Sequence, residues 1–384
     1  MGSHVWVAGA AEFPQGKTSW PSTMALHEAL VQEALTDAGL KLDDVDALIT
    51  VSPRSDPYLV HAIALAERLG IIPKVALTLE AGGTAPVAMC ASAEGVFSTE
   101  PDVDVVVAVA ADLPATGIGR AQYTSSLAVA AGPVHPDYEA PYGPTVPAMF
   151  ALVASAYLDR YSVDPLRLAA LPLQDREMAS RHPNAHMRSP MSLEDYVSAP
   201  MVASPLRLFD CAPVSDGGGA VVLTKHPPQK GAQIRGIGSS FRHLHLSAAN
   251  DIVSFGAGDA LDRALSRAGM SRDDIDVACV YDCFSIAGYV NLEDMGLVGR
   301  GEAPDAIAEG HFTAAGSGPA LNPHGGLLSH GHPARAGGMG NLIEAYRQVT
   351  GAAMERQVPN CRAAIVHGMA GVFAGHAVMI LTAS

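Results

Sequence analysis

The sequence predicts an α/β protein of two similar halves, the first of which carries a long insertion. Three observations predict it. A segment of the first half returns in the second, apolar strand-like runs alternate with amphipathic helical stretches, and one long segment breaks that alternation. The repeat is the sharpest of the three. Ala34 to Val51 reads ALTDAGLKLDDVDALITV, and Ala264 to Tyr281 reads ALSRAGMSRDDIDVACVY. Gly39 matches Gly269, Asp43-Asp44 matches Asp273-Asp274 and Asp46 matches Asp276, all at one constant offset.

Each copy reads as an amphipathic helix stopped by a glycine, a short acidic turn and a buried strand of β-branched and small residues. Before each copy lies a first strand running into a glycine-containing turn: VWVAGAAEF from Val5 and IRGIGSSF from Ile234. After each comes a continuous apolar strand, VDVVVAVAA from Val103 to Ala111 and AAIV from Ala363 to Val366. Strands alternating with helices imply mainly parallel sheets covered by helices. The segment from about Leu113 to Ser204, rich in Pro, Gly, Tyr and Met, is too long for a plain loop and reads as an inserted subdomain. The expected organisation is a first half over 5–228, with the insertion at about 113–204, and a second half over 229–384.

Composition narrows the partners. The chain has 384 residues and a net charge of −15, from 24 basic against 39 acidic residues. That balance argues against nucleic acid, which needs clustered Lys and Arg. No apolar run reaches the roughly 18 residues of a membrane helix. The opening MGSHVWVAGAAEF lacks the basic and apolar regions of a signal peptide. Five cysteines, an odd number with no CxxC pair, make a disulfide framework unexpected and point to a reducing, cytoplasmic setting.

Four stretches, in order, carry a resemblance. They are PLRLFDCAPVSDGGGAVVL from Pro205, YDCFSIAGYVNLEDMGLVGRGEA from Tyr281, LNPHGGLLSHGHPARAGGMGNLIEAYRQVTG from Leu321, and HGMAG from His367. Together they resemble the thiolase superfamily, particularly sterol-carrier-protein-type thiolases and their thiolase-like lipid-transfer relatives, over essentially the whole chain. The resemblance implies the thiolase fold: duplicated βαβαβαββ halves in a five-layered αβαβα arrangement with an inserted loop subdomain.

It also implies roles. His332, in Gly331-His332-Pro333, is similar to the family's GHP histidine, which donates to a thioester or enolate oxygen. His367 stands where sterol-carrier-type thiolases place an acid/base histidine at a strand end. Tyr281 occupies the first position of the family's NEAF or HDCF motif, where a phenol can donate a hydrogen bond or move a proton. The implied thioester pocket is lined by Gly82, Gly83, Asp282, Cys283, Gly368 and Met369. His324 and His330 flank the same turn, but spacings of six and two fit no metal-ligand pattern, so no metal is expected. The substrate would be a CoA thioester, and no further cofactor is expected.

Thiolases carry their acyl group on a cysteine at the amino end of a buried helix. The matching stretch is EAGGTAPVAMCASAEG from Glu80, and its alanine pattern places Gly82 at that position. Counting Cys90 there would shorten the helix by about two turns and leave Gly82-Gly83 unexplained. Glycine carries no acyl group, whereas retro-aldol cleavage needs no acyl-enzyme. The resemblance extends to thiolase-like aldolases of steroid side-chain degradation, which also replace the cysteine by glycine and work with a small OB-fold, zinc-ribbon partner that binds acyl-CoA. Carbon–carbon bond cleavage on an acyl-CoA is therefore the leading expectation. Acyl transfer through Cys90 or Cys283, and a non-catalytic acyl-CoA- or lipid-binding subunit, stay open. A homodimer is expected from the resemblance.

Overall fold

The computed structural model describes residues 5–119, 122 and 134–383. Strand β1 (Val5–Glu12) leads into helix α1 (Thr23–Ala38), then β2 (Ala47–Val51), α2 (His61–Leu69), β3 (Val75–Leu79), α3 (Ala85–Thr99) and β4 (Val105–Asp112). The insertion contributes the helices Val146–Tyr161, Ala170–Ser180 and Leu193–Ser198 and a hairpin of β5 (Met201–Ala203) and β6 (Leu206–Arg207). β7 (Gly217–Thr224) completes the first set of strands. The second set is β8 (Ala232–Phe241), β9 (Val277–Cys279), β10 (Ala320–Leu321), β11 (Ala363–Ala370) and β12 (Gly375–Ala383).

The two sets have one topology. The sheet order is β10-β9-β11-β12-β8-β1-β7-β4-β2-β3. β2 runs parallel to β3 and β4, as β9 does to β10 and β11. β7 is antiparallel to β4 and β1, as β12 is to β11 and β8. The sets meet where Val5, Trp6 and Val7 pair with Ile234, Gln233 and Ala232. Duplication of one α/β unit is thus present in the backbone, as the repeat required.

The repeated residues have a shared task. Gly39 and Gly269 end their helices in the left-handed conformation, at φ 70° and 65°. Asp44 and Asp274 each cap the next turn, accepting from Lys41 N and Ser271 N at 2.8 Å. Asp46 accepts from the amides of Asp104 and Val105 at the start of β4, and Asp276 from those of Arg362 and Ala363 at the start of β11. An acidic side chain before one strand therefore fixes where its parallel neighbour begins. The glycines read as first-strand turns do something else. Gly9, Gly236 and Gly238 lie within β1 and β8, and a Cβ on any of them would meet the backbone of the covering helix. They let α1 and the helix Ala257–Ala268 lie directly on the sheet.

Three apolar cores separate the layers. α1 and α2 bury Leu30, Val31, Leu35 and Leu65 against one face of the first strand set. α3 and the helix Met339–Val349 are packed between the two sets, with Val87, Cys90, Phe97, Leu342 and Ile343 in contact with strands of both. The helix Ala257–Ala268 covers the outer face of the second set. This is the five-layered αβαβα arrangement. The insertion packs onto the second set: Phe150 stacks on Phe284 with centroids 4.2 Å apart and meets Phe373 at 5.4 Å. No helix among the described residues is long and apolar enough to cross a membrane.

Candidate active site

The site forms where strand ends of the second set face the start of α3. Past the end of β9 the chain is held by two amides. Asn322 brackets Val280, accepting from its N–H at 2.8 Å and donating to its carbonyl at 3.1 Å. Asn291 Nδ2 donates to the Tyr281 carbonyl at 3.0 Å. Tyr281 is 4% exposed, and its hydroxyl lies 3.0 Å from His332 Nε2.

His332 is fixed from its backbone. Its N–H donates to Ser215 Oγ at 3.2 Å, and Ser215 N–H donates to its carbonyl at 3.4 Å. Gly331 before it takes φ +141°, and a Cβ there would press on Gln15 and Ser215. Burial pushes the His332 imidazole down to about 4, so the ring is neutral near pH 7. A neutral phenol and a neutral imidazole sharing one hydrogen bond can hand a proton to, or take one from, a group bound beside them.

The two glycines before α3 face different surroundings. A Cβ at Gly83 would lie 2.5 Å from Tyr281 Oη and also overlap the Met369 carbonyl oxygen. At Gly82 it would touch the Ala370 methyl at 3.1 Å, on a backbone at φ +54°. The turn Gly82–Thr84 rotates the first glycine out of the site before α3 begins. Two adjacent glycines offer no pattern from which that rotation could be read. The Tyr281 phenol fills the volume a side chain at 83 would need.

The other expected residues divide into those that meet and those that do not. Gly368 lies against the Gly83 carbonyl and Thr84 Cα, so β11 rests on the start of α3. Met369 lends its carbonyl to the site, while its side chain is core and its sulfur contacts Asn291 Nδ2 at 3.7 Å. Asp282 is buried, accepting from the amides of Leu327 at 2.7 Å and Leu328 at 3.4 Å. Cys283 accepts from Ala212 N through its carbonyl. His367 lies within β11, not at its end, because pairing with β12 continues to Ala370. Its Nδ1 accepts from Tyr281 N–H at 3.3 Å and its Nε2 meets His376 Nδ1 at 3.2 Å. Burial, with His376 beside it, holds its pKa well down. The ring thus supports Tyr281 from its backbone.

The thiols are poorly placed for nucleophilic work. Cys90 is fully buried on α3, and burial raises it and Cys283 far above the usual thiol range. Burial likewise raises Cys211 and Cys361 to about 12.

Sequence reasoning did not find Ser215, Asn291, His376 or the buried group of Glu12, His182 and His330. The last three bring ligand atoms within 4.8 Å of one another, a spacing a metal ion could use. Glu12 also lies 3.1 Å from His330 Nε2 and is paired with Arg347. Asn184 N–H occupies His182 Nδ1, so Nε2 bears the proton and faces Glu12 Oε1 at 3.2 Å. Although burial would raise Glu12, Arg347, His182 and His330 hold its carboxyl well below the usual carboxylate range. A cleft of about 860 Å³ opens elsewhere, beside Leu173, Met191, Phe312 and Val358, and none of the residues around Tyr281 lines it.

Residues 238–383 match the family model described as "Thiolase C-terminal domain-like". The chain is 30% identical over 368 residues to a steroid side-chain-cleaving aldolase of Thermomonospora curvata, covering 91% of this chain and 90% of that one. It is 29% identical over 368 residues to an acetyl-CoA acetyltransferase of Methanothermobacter thermautotrophicus, covering 91% of each. Among solved structures it is similar to one described as "Ltp2-ChsH2(DUF35) aldolase", with a TM-score of 0.85, 27% identity, and 99% and 98% of the two chains covered. With this fold, this duplicated topology and these relatives, the chain belongs to the thiolase superfamily, in its thiolase-like, sterol-carrier-protein-type branch.

Proposed function

We propose that this protein is a lyase that breaks, or in reverse forms, a carbon–carbon bond in a β-hydroxyacyl-CoA by aldol chemistry, without an acyl-enzyme. One observation carries this reading: at the start of α3, where Gly82 and Gly83 carry no side chain, the Tyr281 phenol lies against Gly83 and is bonded to His332 Nε2. In the cleavage direction the substrate hydroxyl loses its proton to the Tyr281–His332 pair. The Cα–Cβ bond breaks, its electrons pass to Cα and the thioester as an enolate, and a carbonyl compound leaves. Protonation of Cα by the same pair yields the shortened acyl-CoA. His332, neutral because it is buried, is a weak resting base, so the proton is passed on within the turnover and not stored. Hydrogen bonds to the enolate oxygen supply the main stabilisation in such a step.

The aldolase relative and the aldolase structure support this chemistry, and the acetyltransferase relative supports the alternative, acyl transfer through another cysteine. The raised thiols weigh toward the lyase. The protein is proposed to act as a homodimer through the free edge strand β3, next to exposed Leu59, Val60 and Ile63 of the α2 region. It is further proposed to work with a small OB-fold, zinc-ribbon, acyl-CoA-binding subunit, which the two-component description of the similar aldolase structure favours.

The test is turnover of β-hydroxyacyl-CoAs bearing bulky ring groups, with and without such a subunit, by following the released carbonyl product. Tyr281→Phe and His332→Ala are each expected to lower kcat by about 10² to 10⁴-fold. Intact-mass analysis after incubation with acetyl-CoA is expected to show no adduct. A cysteine-dependent adduct would sink the lyase reading and favour acyl transfer.

A further inference from the structure

Asp282 follows Tyr281 directly, and its carboxylate is the anchor for the chain segment that presents His332. It receives the amides of Leu327 and Leu328, and Gly326 lies so close that any side chain there would run into Asp282 Oδ2. The segment from Asn322 to His332 is thereby tied to the residue next to the phenol. The insertion supplies the other side of this anchor. Asp175, on the helix Ala170–Ser180, is completely buried, with its carboxyl beside that of Asp282 and the amide of Asn322. Among the described residues no N–H or O–H donor meets either Asp175 oxygen in good geometry. The amide of Asn322, its other polar neighbour, donates one of its two hydrogens to the Val280 carbonyl.

Two carboxylates in contact and away from water do not both stay ionised. One proton between them turns repulsion into a charge-assisted O–H···O bond. Burial and the neighbouring Asp282 push Asp175 well above the usual carboxylate range, and burial raises Asp282 as well. The charged and titratable groups facing the pair are Arg176, whose Nε donates to Ser329 Oγ at 3.1 Å, the buried phenol of Tyr289, which receives Leu171 N–H, and the thiols of Cys279 and Cys283 near Asp282. None of them meets an Asp175 oxygen in hydrogen-bond geometry.

We propose that Asp175 is a positioning residue: by sharing one proton with Asp282 it fixes the carboxylate that holds the Leu327–Leu328 amides, and so the turn that sets His332 against Tyr281. The inference rests on the Tyr281–His332 reading of the site, and its test keeps the two separable. The full-length protein, with ¹³C-labelled histidine, is titrated from pH 6 to 9. The Cε1–H resonance of His332 is followed, assigned by its loss in His332→Asn. In the unaltered protein, loss of the shared proton on raising the pH is expected to shift this resonance and to lower Tm. Asp175→Asn, which keeps a donor for Asp282 but cannot ionise, is expected to flatten both responses. Asp175→Leu is expected to displace the resonance at every pH and to lower kcat about 10²-fold, the effect of a roughly 1 Å misplacement. If Asp175→Leu fails to fold, the comparison with Asp175→Asn still decides. Identical pH responses of His332 in the unaltered and Asp175→Asn proteins would overturn the proposal. Absence of turnover on every substrate, with the resonance still coupled to Asp175, would sink the lyase reading and leave this inference standing.

Discussion

Tyr281 and Gly83 divide one small volume between them, and most of the chemistry follows from that division. Gly83→Ala drives a methyl into the phenol oxygen and the Met369 carbonyl oxygen, and overpacking of this kind is expected to cost about 1–3 kcal/mol, read as a lower Tm. His332 adds a dependence on pH. Its pKa is about 4 in the folded protein against about 6.5 unfolded, so the folded state binds fewer protons between those values. Its contribution to stability is therefore present above pH 6.5 and lost as the pH falls toward 4, by roughly 3 kcal/mol at most. Thermal melts of the unaltered protein and His332→Asn should converge over that window. Neither effect is legible in the sequence: the first depends on which of two glycines faces a tyrosine nearly two hundred residues later, the second on how far the fold buries one imidazole.

At the scale of elements, much was legible. The repeated helix–Gly–Asp-Asp–x-Asp–strand unit fixed the phase of two helices, and its aspartates turn out to bind the amides of the neighbouring strands. Glycines in β1 and β8 were harder, since close approach of a helix and a turn ask for the same residue. The extent of β11 was underestimated because His367 and Gly368 look like the end of an apolar run, although a strand buried on both faces tolerates them. The insertion gave no periodic signal for Asp175 or for the packing of Phe150. That ring is 1% exposed between Phe284 and Phe373, and Phe150→Ala is expected to cost about 3–5 kcal/mol in denaturant unfolding. The accompanying loosening of the insertion should show as faster proteolysis of residues 146–204.

At the scale of the molecule, β3 is an edge strand among the described residues and is the feature a second copy is proposed to cover, since an exposed strand edge is a template for further pairing. Light scattering should therefore give twice the chain mass, and Ile63→Asp should reduce it to a single copy while the unfolding midpoint of each protomer stays in the same range. The two strand sets meet along only three residue pairs, yet they share the helical layer between them. Gly83 belongs to the first set, whereas Tyr281, His332 and the Met369 carbonyl belong to the second. The proposed reacting centre is thus a seam between two copies of one α/β unit, and neither copy holds it alone. Such a site changes by coupled steps: a side chain at 83 needs both a smaller residue at 281 and a shift of the β11 backbone at Met369, so a change in one half waits on the other.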